Sequence, residues 1–177
     1  MSRLTIAPLS EASGQAAQLF AAIKSAVGMV PNAYAGIGTL SPVALESALH
    51  LDGALRKSSL SAKEIEAVKL AVSQQAGCDY CLAAHTLMGR KAGLDAQAIQ
   101  GVRHGQPSGD DRLDVLADFV RGLVGSSGTV AASVVERVRA VYSDAQIVDI
   151  LLAVTAITFT NLFNRVNDTV LDFPPAP

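Results

Sequence analysis

Residues 61–93 read SAKEIEAVKLAVSQQAGCDYCLAAHTLMGRKAG and contain both cysteines of the sequence, Cys78 and Cys81. Apolar residues recur at helical spacing before Gly77, and glycine is a natural break between two helices. The pattern predicts one helix over about 62–75 and a second that starts near Cys78. Both thiols then fall in the first turn of the second helix, where backbone amides are unpaired and the helix dipole is positive.

Signals for helix starts recur outside this stretch. A serine, threonine or aspartate precedes several apolar segments, in places followed by proline or by a capping glutamate or glutamine. These starts are Ser41 before Pro42, Ser61 with Glu64, Asp95, Thr129, and Ser143 with Gln146. Strand and hairpin signals are weak, and no linker or repeat divides the chain. We therefore predict an all-α bundle of about seven or eight helices that forms one domain over residues 1–177.

The last predicted helix, at about 144–169, is apolar on more than one side. Its uncharged stretch, 150–164, is shorter than the roughly 20 residues that span a bilayer, so we expect a buried helix rather than a membrane span. Such a helix is either central to the bundle or shared with another subunit. Asn161, Asn164 and Asn167 follow one another at three-residue spacing, and we interpret them as hydrogen-bonded packing residues.

Composition and charge narrow the class of protein. Half of the 177 residues are apolar and 17% are charged, which excludes a disordered chain. Lys and Arg number 14 against 16 Asp and Glu, and without a basic run we expect no nucleic-acid partner. The N-terminal segment lacks the pattern of a signal peptide, so we expect a cytoplasmic protein. Structural disulfides are rare in that compartment, which turns attention to catalysis or metal binding by the cysteines.

The spacing of Cys78, Cys81 and His85 favours redox chemistry. Separations of three and four residues place the thiols and the imidazole on adjoining parts of one helix surface. A helix N-terminus lowers the pKa of a thiol, and a thiolate can attack a peroxide to give a sulfenic acid that a second thiol converts to a disulfide. This chemistry needs an accessible nucleophile and a proton source. If the chain reverses near Gly77, Glu66 and His85 are offset by about one helical turn along the two helices. A contact between their side chains is therefore a hypothesis.

Other interpretations of the same residues remain open. Buried cysteines often pack as small hydrophobic residues. The pattern C-x2-C-x3-H also offers three of the four ligands of a structural zinc site, although nothing in the sequence joins His50 or His104 to the thiols. We expect those two histidines to be solvated or locally hydrogen-bonded. A thioredoxin fold would place a strand before the cysteines, whereas a helix precedes them here.

The four residues Glu66, Cys78, Cys81 and His85 form the pattern E-x11-C-x2-C-x3-H. This pattern resembles the signature of alkylhydroperoxidase D-like (AhpD-like) proteins in the carboxymuconolactone decarboxylase superfamily. A weaker resemblance to the peroxidase-related branch extends over most of the chain. It is carried by the segments GMVPN, SPVALESALHLDGAL and NLFNRVNDTVLDFP.

The resemblance implies an all-α AhpD-like fold and a thiol-dependent peroxidase. Cys81 would attack the peroxide, Cys78 would resolve the product, and Glu66 with His85 would relay protons. A thioredoxin-like or lipoyl protein, or a small thiol, would reduce the disulfide, and no metal or organic cofactor is implied. Members commonly form homo-oligomers, so a trimer or hexamer is expected, with a dimer as a further option. Tyr80 stands where some members carry another histidine between the cysteines. The alternative functions are a non-redox decarboxylase-like enzyme and a zinc-binding or structural module.

Overall fold

The computed structural model describes residues 2–177, and within them every regular element is helical. A short 3-10 helix, Leu9–Glu11, precedes nine α-helices. These are α1 Gly14–Val27, α2 Asn32–Leu40, α3 Pro42–Leu55, α4 Ala62–Ala76, α5 Asp79–Lys91, α6 Ala96–His104, α7 Asp111–Gly125, α8 Ala132–Arg139 and α9 Asp144–Asn167. The all-α prediction is confirmed. The predicted number, about seven or eight, is too low because left-handed Gly28 and the following Pro31 split the N-terminal region into two helices.

Most predicted helix starts are confirmed by their side chains. Ser61 and Ser143 form complete capping boxes with Glu64 and Gln146, and the Ser41 and Asp95 side chains accept hydrogen bonds from amides of the turns that follow. The prediction at Thr129 is wrong. Helix α8 begins at Ala132, because the Thr129 amide donates to the Ser126 carbonyl in the turn that closes α7.

Helix α4 occupies the centre of the bundle. Every residue from Glu64 to Ser73 is buried, and α5, α6, α7 and α9 all pack against this helix. Its apolar side chains form the core, so the polar side chains Glu66, Lys69 and Ser73 must find partners inside the protein. The sequence of α4 therefore forces a polar network into the middle of the fold.

Helix α9 is only partly covered within the chain, so it is not the fully enclosed central helix that was one of the two expectations. Ile150, Ala153 and Ile157 face the core, whereas several large apolar side chains are exposed: Val148, Leu151, Phe159, Leu162 and Val166. The helix is long and apolar enough to cross a membrane, and 28% of its most apolar window is buried. Length and composition are weak evidence, because a core helix of a water-soluble protein passes the same test. One face of α9 thus packs inward and the other presents an apolar surface.

Candidate active site

The two cysteines face each other at the start of α5. Gly77 adopts the left-handed conformation, with φ 61°, and reverses the chain between α4 and α5. Cys78 is the N-cap of α5, and its Sγ accepts a hydrogen bond from the backbone amide of Cys81 at 3.4 Å. The two Sγ atoms lie 2.7 Å apart, and both thiols are free. This arrangement allows a disulfide to close without moving either helix.

The thiols titrate as a pair because they share a hydrogen bond. That hydrogen bond from Cys81 lowers the pKa of Cys78 more than burial raises it, and the Cys81 amide lowers it further. The same hydrogen bond raises the pKa of Cys81, as do burial and the charge on Cys78, while Asn164 opposes these effects. The first proton lost therefore leaves a thiolate centred on Cys78 and a thiol on Cys81.

The two thiols are more buried than we expected for a thiol that reacts with peroxide. Both cysteines are 2% exposed, so the expected accessible nucleophile is not found at the surface. Tyr80, between them in sequence, is also buried, and its ring contacts Phe173 edge to face at a centroid distance of 5.6 Å. Because the C-terminal segment and α9 cover this end of α5, an oxidant reaches the sulfur atoms only when the cover moves locally.

Glu66 and His85 are in direct contact. The Oε2 atom of Glu66 lies 2.8 Å from Nδ1 of His85, and both residues are buried. The carboxylate fixes the orientation of the ring and leaves Nε2 free for proton transfer. His85 follows Cys81 by four residues on α5, which places their Cβ atoms about 5–6 Å apart. The structure thus pairs Glu66 with His85 and Cys78 with Cys81, and His85 follows Cys81 by one helical turn on α5.

A second buried ion pair adjoins this one. Lys69, one turn beyond Glu66 on α4, donates from Nζ to Oδ1 of Asp52 at 2.8 Å, and the hydroxyl of Tyr34 donates to Oδ2 at 3.0 Å. Burial raises the pKa of Asp52, but Lys69, Tyr34 and the charge of His85 outweigh it and lower that pKa overall. Burial and Asp52 raise the pKa of Tyr34. Sequence reasoning missed this cluster, since its members lie on three helices.

The Lys69–Asp52 pair gives a prediction about stability. Replacing Lys69 with methionine leaves the Asp52 carboxylate without its cation, in a site where the two side chains are 9% and 21% exposed. Breaking a buried pair by removing one partner costs about 3–5 kcal/mol. We expect a loss of about that size in the free energy of unfolding at pH 7, measured by chemical denaturation.

The matched control is Arg139, which pairs with Asp144 at 2.9 Å on the surface, where their side chains are 59% and 74% exposed. Arg139→Met is expected to cost less than about 1 kcal/mol. Because the pKa of Asp52 is lowered in the folded state, its contribution is present above the unfolded-state pKa and disappears as the pH falls through the folded-state value. Equal losses for the two variants at pH 7 would contradict a buried pair.

Helix α9 delivers three asparagines to different partners. Asn164 donates from Nδ2 to Sγ of Cys81 at 3.3 Å, and Asn161 accepts from the hydroxyl of Ser73 at 3.2 Å. Asn167 instead accepts from the backbone amide of Leu4 at 3.1 Å. The interpretation of all three as packing residues is incomplete, because Asn164 contacts a sulfur of the dithiol. Their three-residue spacing was visible in the sequence, but it does not reveal which helix the face meets.

The remaining candidates are two histidines, His50 and His104, and the tyrosine between the cysteines, Tyr80. His50 and His104 are exposed, as expected for solvated side chains. The hydroxyl of Tyr80 accepts a hydrogen bond from the Ala33 amide at 3.2 Å, so this side chain anchors the start of α2. Among residues 2–177, no three His, Cys, Asp or Glu side chains are grouped to hold a metal ion.

Comparison with known proteins gives one family match for part of the chain and several solved structures with a similar fold. The model of the carboxymuconolactone decarboxylase family matches residues 42–107. An uncharacterized peroxidase-related protein from Ralstonia eutropha JMP134, described as an alkylhydroperoxidase AhpD core, has a TM-score of 0.85 and 19% identity over 97% of this chain and 92% of its own. A peroxidase-related protein from Silicibacter sp. TM1040 has a TM-score of 0.81 and 23% identity, over 98% and 91% of the two chains. No curated protein matches.

The same fold also occurs in a debrominase. The debrominase Bmp8, as a cysteine-to-alanine variant in complex with 2,3,4-tribromopyrrole, has a TM-score of 0.81 and 15% identity, over 97% of this chain and 94% of its own. This chain combines that all-helical fold with a buried dithiol at the junction of α4 and α5. Residues 42–107 thus match the carboxymuconolactone decarboxylase family model, and nearly the whole chain shares the fold of AhpD-like and peroxidase-related proteins.

Proposed function

We propose that this protein is a thiol-dependent peroxidase that reduces hydrogen peroxide or alkyl hydroperoxides. The observation that carries the proposal is the pair of free thiols, with sulfur atoms 2.7 Å apart, one helical turn from a buried Glu66–His85 pair. Two thiols at this distance can exchange a proton and can form a disulfide. The carboxylate-bound imidazole supplies a proton donor on the same helix.

The proposed reaction consumes one peroxide for each dithiol. A thiolate attacks the terminal oxygen, the O–O bond breaks, and the leaving alkoxide takes a proton to become an alcohol. The resulting sulfenic acid is attacked by the other thiol, which forms the disulfide and releases water. Two electrons pass from the sulfur atoms to the peroxide, and an external dithiol returns them.

Within this proposal, Cys81 attacks and Cys78 resolves. The pKa of Cys78 is lowered and that of Cys81 is raised, so the thiolate forms first on Cys78, and the proton of Cys81 must then move to Cys78 along the contact between the sulfur atoms. The Cys81 thiolate then receives the hydrogen bond from Asn164 and lies four residues before the imidazole on α5. Attack from Cys81 therefore places the leaving oxygen on the side of the proton donor.

The proposal extends to partners and assembly. A thioredoxin-like or lipoyl protein, or a small thiol, would reopen the disulfide, and the reaction requires neither a metal nor an organic cofactor. The apolar face of α9 supports a homo-oligomer, since burial in a second copy removes large apolar side chains from water. We place the protein in the cytoplasm, where thiols are kept reduced.

The proposed function predicts a stoichiometric loss of thiols. Adding one equivalent of hydrogen peroxide or tert-butyl hydroperoxide to the reduced protein without oxygen is expected to remove both thiols and to yield an intramolecular disulfide. Thiol titration and the intact mass measure the result. Retention of both thiols with every peroxide tried would contradict a peroxidase.

The same preparation tests the alternatives. One equivalent of tightly held zinc in protein purified without chelator would favour a zinc module. A lactone decarboxylase activity that survives replacement of both cysteines with serine would favour the non-redox enzyme. The matched control for peroxide reactivity is that double variant, which has no thiol to oxidise.

A further inference from the structure

Two polar atoms beside the dithiol have no hydrogen-bond partner among the described residues. They are Nδ2 of Asn161 and Oδ1 of Asn164, on side chains that are 2% and 4% exposed. The other amide atoms of the same residues are engaged, Asn161 with Ser73 and Asn164 with Cys81. One donor and one acceptor thus remain unused in the interior of the protein.

Both residues that carry the unused atoms adjoin the dithiol segment. Asn161 and Asn164 lie one turn apart on the face of α9 that packs against α4 and α5. Asn164 contacts Sγ of Cys81, and Ser73, the partner of Asn161, accepts the backbone hydrogen bond of Cys78 at 3.0 Å. Asn164 is therefore tied directly to the dithiol, and Asn161 is tied to it through Ser73.

Buried polar groups without partners are costly, and they are retained where a ligand or an ordered water satisfies them. A molecule that fits these two atoms must accept one hydrogen bond and donate another. The terminal O–H of a hydroperoxide does both, as does the water molecule that it would displace. A carbon–halogen group cannot donate, so the same pair of amides would discriminate against it.

We propose that Asn161 and Asn164 form an amide pair that binds the terminal OH of a hydroperoxide beside Cys81. This inference rests on the proposed peroxidase function and names the group that the site recognises. Asn161 donates to the terminal oxygen, and the O–H of the peroxide donates to Asn164. Nδ2 of Asn164 donates to Sγ of Cys81, so the Asn164 side chain aligns the nucleophile with the oxygen that it attacks.

The bound peroxide then reacts with balanced atoms and electrons. The S–O bond forms between Cys81 and the terminal oxygen, and the O–O bond breaks. The leaving alkoxide takes its proton from the His85 imidazole, which the Glu66 carboxylate supports. The hydroxyl group that Asn161 and Asn164 held remains on sulfur as the sulfenic acid, and it leaves as water when Cys78 closes the disulfide.

Single-turnover oxidation of three leucine variants tests the amide pair. Asn161→Leu and Asn164→Leu are each expected to slow oxidation by hydrogen peroxide about a hundredfold, since loss of one positioned hydrogen bond costs on the order of 10²–10³ in rate. Asn167→Leu, on the same helix, is the matched control, because Asn167 bonds the N-terminal segment rather than the dithiol. It is expected to oxidise within about threefold of the wild-type rate.

Alkylation by iodoacetamide separates peroxide binding from a general disturbance of the site. Asn161→Leu is expected to leave the alkylation rate and its pH profile unchanged, since Asn161 contacts neither sulfur in the structure. In a Cys78→Ser background, where Cys81 is the remaining thiol, Asn164→Leu is expected to shift the alkylation profile to higher pH, because the hydrogen bond that lowers the pKa of Cys81 is gone. Oxidation of both variants at the wild-type rate, or equal losses toward peroxide and iodoacetamide in Asn161→Leu, would overturn the amide pair.

A crystal structure of Cys81→Ser soaked in tert-butyl hydroperoxide gives a test that does not depend on the folding of the leucine variants. The peroxide is expected between Nδ2 of Asn161 and Oδ1 of Asn164, and water alone at that position would overturn the inference. If wild-type protein keeps both thiols with every peroxide, the proposed function itself fails. If the wild-type protein is oxidised but the leucine variants are equally fast, only the amide pair fails.

Discussion

Cys81→Ser is expected to abolish peroxide reduction, with a loss of at least about a thousandfold in rate, because removing an attacking nucleophile leaves only binding and electrostatic effects. Cys78→Ser is expected to react once and to stop at the sulfenic acid, since no second thiol closes the disulfide. Trapping with dimedone and intact mass measure both outcomes. The label should appear on Cys81 in Cys78→Ser and be absent from Cys81→Ser.

The pKa of Cys78 supplies an independent check on these roles. In Cys81→Ser, the thiol that lowers the pKa of Cys78 is replaced by a hydroxyl, and that pKa is expected to rise toward the ordinary cysteine value. Alkylation of Cys78 should therefore shift to higher pH. If Cys78 in Cys81→Ser were oxidised by peroxide as fast as the wild-type dithiol and then labelled by dimedone, the attack would be assigned to Cys78 instead. The double variant Cys78→Ser, Cys81→Ser is the control for labelling elsewhere.

Local sequence signals predicted the frame of the site. The capping box at Ser61 and the break at Gly77 fix where α4 begins and ends, and Cys78 then has to cap α5. These are rules about neighbouring residues, which a sequence displays directly. The same reversal at Gly77 made a Glu66–His85 contact a hypothesis but left the two residues offset by about one helical turn, and it is the structure that shows their side chains in contact.

Contacts between distant helices escaped prediction. Asn164 reaches Cys81 across 83 residues, and Lys69 meets Asp52 on another helix. In the sequence, Asn164 and Lys69 could equally be packing or solvated side chains. Only the arrangement of the helices shows which partner each of them meets. The same limit applies to α9, whose apolar residues predicted a helix that is either central or shared with another subunit, and within the chain the fold covers one face of it.

Burial of the dithiol follows from the position of α4. A helix that is buried on all sides places the residues after its C-terminus under neighbouring elements, and here α9 packs over α5. The spacing of the cysteines and the histidine indicates which reactions are possible, but it does not show whether distant helices bury these residues. Because both sulfur atoms are enclosed, the access of a peroxide depends on local opening rather than on a surface thiol.

His85→Gln is expected to slow oxidation by tert-butyl hydroperoxide on the order of 10²–10⁴-fold, the usual contribution of a general acid. The tert-butoxide leaving group is strongly basic and needs a proton as the O–O bond breaks. Peracetic acid releases acetate, which needs none, so the variant should react with it at close to the wild-type rate. Stopped-flow oxidation of reduced protein by the two oxidants measures the difference.

The contrast between oxidants distinguishes proton donation from a structural role for His85. A disturbed site would slow both reactions alike, and equal losses would remove His85 from the relay. Glu66→Gln is expected to show the same selective loss in smaller measure, because a neutral amide supports a protonated imidazole less well than the carboxylate that now lies 2.8 Å from Nδ1. The matched control is His50→Gln on the exposed surface of α3, where neither oxidant should distinguish the variant from wild type.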